Sequence, residues 1–282
     1  MDQLETPVAD NHLHLDPERG RGMEAVDEFA RFGGTHMLIV NQPSWKLGVD
    51  STDPEDFRTV FETTLQIAAE ATDHLDGRAW AILGAHPGLI SRLTEDRGCS
   101  AAEAKACMQG VLDIAAEYVD DGRALGLKSG RPHYEVSEAV WAASNDVMKH
   151  AFSLGSEVDC AVQLHTEASE DLTEVAEWAE ARGLAAHRVV KHYAGGRLAG
   201  PTPSVMSNKD WIETAAESGE PFLMETDFID DPDRPGAVLG PKTVPRRVRW
   251  LADEGYDDAI RRAHVETPKR VYGIDTESTL SR

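Results

Sequence analysis

Asp10-Asn11-His12-Leu13-His14-Leu15 is the stretch on which the reading of this chain turns. His12 and His14 stand two residues apart. On a β-strand that spacing sends both imidazoles to one face. Two neutral imidazoles converging from one strand make half of a divalent-metal site. The rest of the chain is then tested by whether later segments deliver further ligands to the same place.

Outward from this strand, read as Ala9–Leu15, apolar runs of strand length alternate with amphipathic helical stretches. The spacing predicts strands at Thr35–Asn41, Arg78–His86, Arg123–Lys128, Glu157–His165, His187–His192, Ser204–Ser207 and Pro221–Asp227. THMLIVN (35–41) is apolar throughout, as a strand buried on both faces requires. Helices are expected at Gly22–Phe32, Pro54–His74, Ala101–Asp120, Val136–Leu154, Asp171–Ala181, Asn208–Glu217, Thr243–Asp253 and Asp257–Val271. The Gly-rich link from Gly195 to Pro203 has little room for one. Repeated strand–helix alternation over 282 residues predicts a parallel sheet with outer helices: an α/β fold forming a single (β/α)8 TIM-type barrel, one domain over 1–282. An open doubly wound sheet is the alternative. No G-x-G-x-x-G follows the first strand, which counts against a dinucleotide fold.

The strand ends carry the chemistry. The first brings His12 and His14, the fourth Lys128, the fifth His165, the sixth His192 and the eighth Asp227. In a parallel barrel these ends open on one face, where active sites lie. A lone histidine there is commonly just a hydrogen-bonded polar residue, and a lone Asp227 reads equally as a helix N-cap. Four histidines and an aspartate from independent segments are hard to explain by packing.

Asn11-His12-Leu13-His14, Gly84-Ala85-His86-Pro87, Gln163-Leu164-His165, Lys191-His192, Glu225-Thr226-Asp227 and the closing Thr267-Pro268-Lys269-Arg270-Val271-Tyr272-Gly273 together resemble the amidohydrolase superfamily, and within it the TatD-type metal-dependent hydrolases. The resemblance implies that His12, His14 and Asp227 bind a more buried cation, that His165 and His192 hold a second, and that Asp227 accepts the proton of the attacking water. It also implies hydrolysis of a phosphodiester, as in the DNA nucleases of that group. TatD-type members carry a bridging Glu at the end of the fourth strand. Here the stretch reads Ala124-Leu125-Gly126-Leu127-Lys128-Ser129-Gly130, without one. Other amidohydrolases resembling phosphotriesterases use a fourth-strand lysine, carboxylated by CO₂, to bridge two cations. A carboxylated Lys128 is the expected substitute; an ammonium there would repel a second ion. The cofactor call is therefore one or two divalent ions, and the ligand chemistry suits Zn, Mn, Fe, Co or Ni alike.

Formal net charge is −22, from 28 basic and 50 acidic residues. Only eight of the basic residues are Lys; twenty are Arg. Such a surface repels itself in dilute buffer. At ~1 M salt, where the Debye length is ~3 Å, the repulsion is screened. The composition points to a halophilic protein; an acidic face recruiting a basic partner is the competing reading. No broad basic patch suggests duplex binding. Cys99, Cys107 and Cys160 show no C-x-x-C spacing and read as small buried hydrophobes in a reducing interior. No apolar run reaches ~18 residues, and Met1 to Ala9 is acidic without an apolar signal region, so a cytoplasmic location away from membranes is expected.

Arg131, three residues after Lys128, is the candidate substrate-binding residue, a guanidinium fit to clamp phosphate or carboxylate at the mouth. Arg234, Lys242, Arg246 and Arg247 are either a phosphate site after the last strand or a solvated face balancing Asp230, Asp231 and Asp233. Glu225, on the face of Asp227, is expected to support the ligands from behind. Trp45 and Glu167 are rim candidates. The expected substrate is a single-stranded nucleic acid or a small molecule. The alternative activities are an esterase, lactonase or phosphotriesterase; the non-enzymatic alternative is a metal-binding barrel.

Overall fold

The computed structural model describes residues 6–234, 236 and 238–280. The first five residues of the acidic start and the last two of the 1–282 span lie outside the described residues. Nine strands run β1 (Ala9–His14), β2 (His36–Val40), β3 (Arg78–Gly84), β4 (Gly126–Gly130), β5 (Ala161–His165), β6 (Val189–Ala194), β7 (Thr202–Met206), β8 (Leu223–Glu225) and β9 (Phe228–Ile229). They form one parallel sheet in the order β8-β7-β6-β5-β4-β3-β2-β1-β9. Each of β1 to β7 pairs with its successor. That sequential order sets aside the doubly wound alternative, which reverses strand order at a switch point.

The sheet is curled. Leu38, Val40 and Ile82, from β2 and β3, form a small apolar cluster against Tyr272. Ala161, Val190 and Leu223, from β5, β6 and β8, form another with Val271 and the same Tyr272. Strands from both halves of the sheet therefore face a common interior. After β8 the chain returns to β1, where Asp227 N donates to His12 O (3.0 Å).

Ten helices accompany the strands among the described residues: α1 (Met23–Arg31), α2 (Arg58–Asp73), α3 (Leu89–Ser91), α4 (Ala101–Asp120), α5 (Glu138–Glu157), α6 (Thr173–Glu180), α7 (Lys209–Ser218), α8 (Thr243–Asp253), α9 (Asp257–Arg261) and α10 (Thr267–Tyr272). Their starts follow local chemistry. Ser100 and Glu103 form a reciprocal capping box at α4, while Ser137 caps α5 and Asn208 caps α7. Phe29, Phe61 and Phe152 are fully buried between helices and sheet, and Phe222 beneath α7 and α8. Each such ring contributes ~1.5–3 kcal/mol by leaving water.

Several boundaries differ from the sequence reading. β4 runs through Gly130, so Lys128 lies mid-strand rather than at a strand end. β5 starts only at Ala161, because α5 continues to Glu157. β8 stops at Glu225, leaving Asp227 beyond it with a left-handed φ of 49°. The short β9 was not foreseen. The last helix is interrupted by a π-turn at Arg262–Glu266, just ahead of Pro268, which has no amide N–H to give. The 195–203 link carries no helix, as expected, but its last two residues already belong to β7, which runs Thr202–Met206 rather than Ser204–Ser207. Cys99, Cys107 and Cys160 are free. No helix among the described residues is long and apolar enough to cross a membrane.

Two irregularities shape the site. β1 holds one extra residue between Asp10 and Leu13, against Met37 to Ile39 of β2. β6 holds one extra between Lys191 and Ala194, against Pro203 to Val205 of β7. Such bulges re-aim side chains, and these two fall at His12 and at His192-Tyr193. Tyr193 has φ 55°, outside the usual range for a residue with a side chain. Gly84 and Gly130 end β3 and β4, and a Cβ at either would lie 1.9 Å from Lys128 O or His165 O. Only glycine allows the strands to close up there.

Candidate metal centre

On β1, His12 and His14 have their outer nitrogens committed. His14 Nδ1 stands 2.9 Å from Val40 O, a backbone carbonyl that only accepts, so Nδ1 carries the proton. His12 Nδ1 donates to Gln163 Oε1 at 2.6 Å. Both Nε2 atoms are then left with lone pairs, and they lie 3.3 Å apart. Facing lone pairs at that distance repel unless a positive centre stands with them. Lys128 Nζ, 3.4 Å from His12 Nε2, is one such centre; a divalent cation is another.

On the other side, His165 Nδ1 and His192 Nε2 stand 2.9 Å apart. Glu225 Oε1 accepts from Tyr193 N (2.7 Å) and from His192 Nδ1 (3.1 Å). His192 Nε2 is therefore unprotonated in the neutral ring. His165 Nε2 lies 2.8 Å from His133 Nδ1. The rings of His12 and His192 stack at 3.9 Å between centroids, which joins the two halves.

Asp227 enters from the segment after β8. It is held by its own N–H on His12 O and by Asp10, whose carboxylate accepts Thr226 N (3.1 Å) and Thr226 Oγ1 (2.6 Å). Its Oδ1 is 3.9 Å from His12 Nε2. Ligand atoms of His12, His14 and Asp227 all lie within 4.8 Å of one another, and so do those of His12, His192 and Glu225.

Burial dominates the electrostatics. It pushes His12 and His192 well below the imidazole range and His14 down to about 4, with Lys128 adding to each. His165 is lowered for the same reasons. All four are neutral near pH 7, the form that binds metal. Burial raises Asp227 to about 6 and Glu225 well above the carboxylate range, and it lowers Lys128 to about 7. Lys191, buried beside them with Nζ on His192 O at 2.6 Å, falls to about 8. A second cationic centre would relieve the two crowded carboxylates and convert the facing nitrogens from repulsion to ligation. The donor set of neutral imidazoles and carboxylates suits a divalent ion.

A cavity of about 230 Å³ opens over these groups, lined by His12, His14, His165 and His192 and also by Trp45, His86, Lys46 and Arg234. Arg131, the expected substrate-binding residue, is not among them. Its Nε (2.8 Å) and Nη2 both donate to Glu167, its Nη1 donates to Asn145 (3.0 Å), and it lies over the rings of Trp141 and Trp178. Its donors are used internally, and Glu167 is its partner rather than a rim residue. The basic cluster after β8 divides: Arg234 lines the cavity, Lys242 pairs with Glu28 (3.1 Å), and Arg247 Nε donates to Ser207 O (2.9 Å). His86, His133 and Gln163 were not foreseen as site residues. Gln163 was findable, since it lies two residues before His165 on one strand face. His133 follows an irregular turn that no periodicity describes.

The family model described as TatD related DNase matches residues 9–273. An uncharacterized protein of Methanocaldococcus jannaschii is 34% identical over 293 aligned positions, covering 98% of this chain and 100% of that one. A TatD-like protein from Archaeoglobus fulgidus superposes with a TM-score of 0.60 at 16% identity, covering 94% of this chain and 100% of its own. A phosphotriesterase homology protein from Escherichia coli, complexed with phosphate in its active site, gives 0.60 at 10%, covering 95% and 99%. A lactonase from Listeria monocytogenes gives 0.55 at 12%, covering 95% of each. At these identities the structural likenesses speak to the fold.

Proposed function

The chain belongs to the TatD related DNase family, and from that premise we propose that it is a metal-dependent hydrolase of phosphodiesters, built as a single (β/α)8 barrel over 1–282. His12, His14 and Asp227 would hold one divalent cation, and His165 and His192 would hold a second. The observation that carries this reading is the pair of Nε2 lone pairs of His12 and His14, 3.3 Å apart with both Nδ1 protons committed elsewhere. The chemistry a divalent ion would supply there is a bound water with its pKa lowered toward ~7 and stabilisation of charge developing on oxygen. Asp227 accepts the proton of the attacking water and hands it to the leaving oxygen. Its position beside His12, tied by Asp10 and Thr226, keeps it within reach of both. Glu225 holds His192 with Nε2 toward the cation. Lys128 would serve as a further anionic ligand once its unprotonated amine has added to CO₂, giving a carbamate with two oxygens and releasing a proton. Its burial favours the neutral amine that this addition needs.

The 230 Å³ cavity favours the end of a single strand over a duplex, and Arg234 in its lining suits a phosphate, while Lys46 is paired with Asp231 (2.5 Å). A net charge of −22 weighs the same way, and is read as adaptation to a salt-rich cytoplasm. A second reading, hydrolysis of a small lactone, ester or phosphotriester, is favoured by Lys128 standing where the family carries Glu. Metal-stimulated release of nucleotides from single-stranded DNA in molar KCl, assayed beside lactones and aryl phosphates, separates the two. Brisk lactone turnover with intact DNA refutes the first. Asp227→Asn tests catalysis itself: activity is expected to fall ~10²–10⁴-fold with the cation retained. Unchanged turnover would refute Asp227 as the proton acceptor.

A further inference from the structure

We propose that Gln163 is the positioning residue that decides which nitrogen of His12 faces the cation, and that Tyr272 locks Gln163 in that orientation. The inference rests on the metal-centre reading above. Gln163 is fully buried on β5, and its amide makes three hydrogen bonds that admit one polarity. Asn11 O is a backbone carbonyl and can only accept, so the atom 3.0 Å from it is the donor Nε2. The amide oxygen therefore faces His12, and at 2.6 Å it takes the proton of Nδ1. That leaves the lone pair on Nε2, pointing at His14 and Lys128.

The second N–H of Gln163 goes to Tyr272 Oη at 2.9 Å. Tyr272 passes its own proton to Asn11 Oδ1 (2.9 Å), and Asn11 Nδ2 donates to Ser204 Oγ (3.0 Å). Turning the Gln163 amide over would set oxygen against the Asn11 carbonyl and N–H against the His12 Nδ1 proton, two like-pole contacts in a dry interior. The backbone carbonyl of Asn11 thus fixes the tautomer of the residue that follows it, through a side chain on another strand. Tyr272, on the last helix, seals the far side of the network. Partners of this kind, lying behind metal ligands, typically carry 10–100-fold in metal affinity.

Three variants separate orientation from packing. Gln163→Leu removes the acceptor, Gln163→Glu keeps an acceptor oxygen toward His12, and Tyr272→Phe removes one hydroxyl. Two readouts apply: the His12 tautomer by ¹⁵N-histidine NMR in cation-free protein, and Co²⁺ affinity by chelator competition with the visible spectrum recorded. In the unaltered chain His12 is expected as the Nδ1–H tautomer. Gln163→Leu shifts His12 toward Nε2–H, weakens Co²⁺ by ~10–100-fold and changes its spectrum. Gln163→Glu retains tautomer and affinity, and Tyr272→Phe falls between. An unchanged tautomer in Gln163→Leu overturns the inference, and so do equal losses in the Leu and Glu variants. If Gln163→Leu does not fold, Tyr272→Phe decides, and a wild-type tautomer and affinity there overturn it. Should the unaltered protein bind no Co²⁺ while the tautomer still responds as stated, the metal-centre reading falls and the orienting role of Gln163 stands.

Discussion

Replacing Arg131 by methionine discriminates between a substrate clamp and an internal strut. The methionine keeps apolar bulk between Trp141 and Trp178 but removes every hydrogen bond to Glu167 and Asn145. Breaking a buried pair by deleting one member costs about 3–5 kcal/mol. The Arg131 side chain is 8% exposed, whereas Glu167 is 31% exposed, so water can take over part of the orphaned carboxylate. The expected loss is therefore about 2–3 kcal/mol, a fall in Tm of roughly 4–10 °C for a chain of this size. Its pH dependence follows from Glu167. Burial works to raise that carboxyl, yet the hydrogen bonds and charge of Arg131 win and hold it below its ordinary 4.5. A depressed carboxylate contributes stability above its unfolded pKa and loses it as pH falls through the folded value. The gap between wild type and variant should be full at pH 7 and close below about 4.5. Thermal melts from pH 3 to 8, beside steady-state kinetics on the folded variant, measure both. An unchanged Tm with a large rise in KM would refute this reasoning and return Arg131 to the substrate.

Carboxylation of Lys128 predicts that ¹³C-bicarbonate gives a carbamate resonance that is lost in Lys128→Ala; its absence with two cations bound would exclude the carbamate bridge. His264, fully buried and accepting from Ala9 N through Nδ1 (3.0 Å), is pushed down to about 3 by burial. Between pH 6.5 and about 3 the unfolded chain binds a proton that the folded chain does not, so stability falls as pH falls, by up to about 1.4 kcal/mol per pH unit. His264→Gln should flatten that slope in urea titrations, and an unaltered slope would contradict it. Raising KCl from 0.1 to 2 M should raise Tm if the −22 charge is self-repulsive; a flat or falling Tm would count against the halophilic reading.

Much of the fold was legible because period and length carry it. The run at 35–41 could only be a doubly buried strand, and Ala101–Asp120 matched its helix to the residue because Ser100 and Glu103 announce its start. The positions of His12, His14 and His165 near the ends of β1 and β5 were legible for the same reason, since strand ends fall where apolar runs stop, whereas His192 lies within β6 and Asp227 beyond β8. What stayed hidden depends on pairs of strands. A bulge is one strand's excess over its neighbour, so neither Asn11-His12 nor His192-Tyr193 announces it alone. The partners of Arg131 were not legible either, because a guanidinium three residues from Lys128 looks free until Glu167 and two tryptophans, from other segments, are set around it. Lys128 proved to be mid-strand because Gly130, which reads as a turn, serves instead as a point of close contact.

The tie between Asn11 and Tyr272 spans 261 residues of chain. At about 5–20 residues per second of synthesis, roughly 13–50 seconds separate the emergence of these two ends from the ribosome. The first-made histidines wait that long for the hydroxyl that completes their surroundings. A nascent fragment offers solution a bare histidine pair with no settled tautomer, and under the proposed metal-centre reading capture of a cation in its final form would come among the last events in the protein's making.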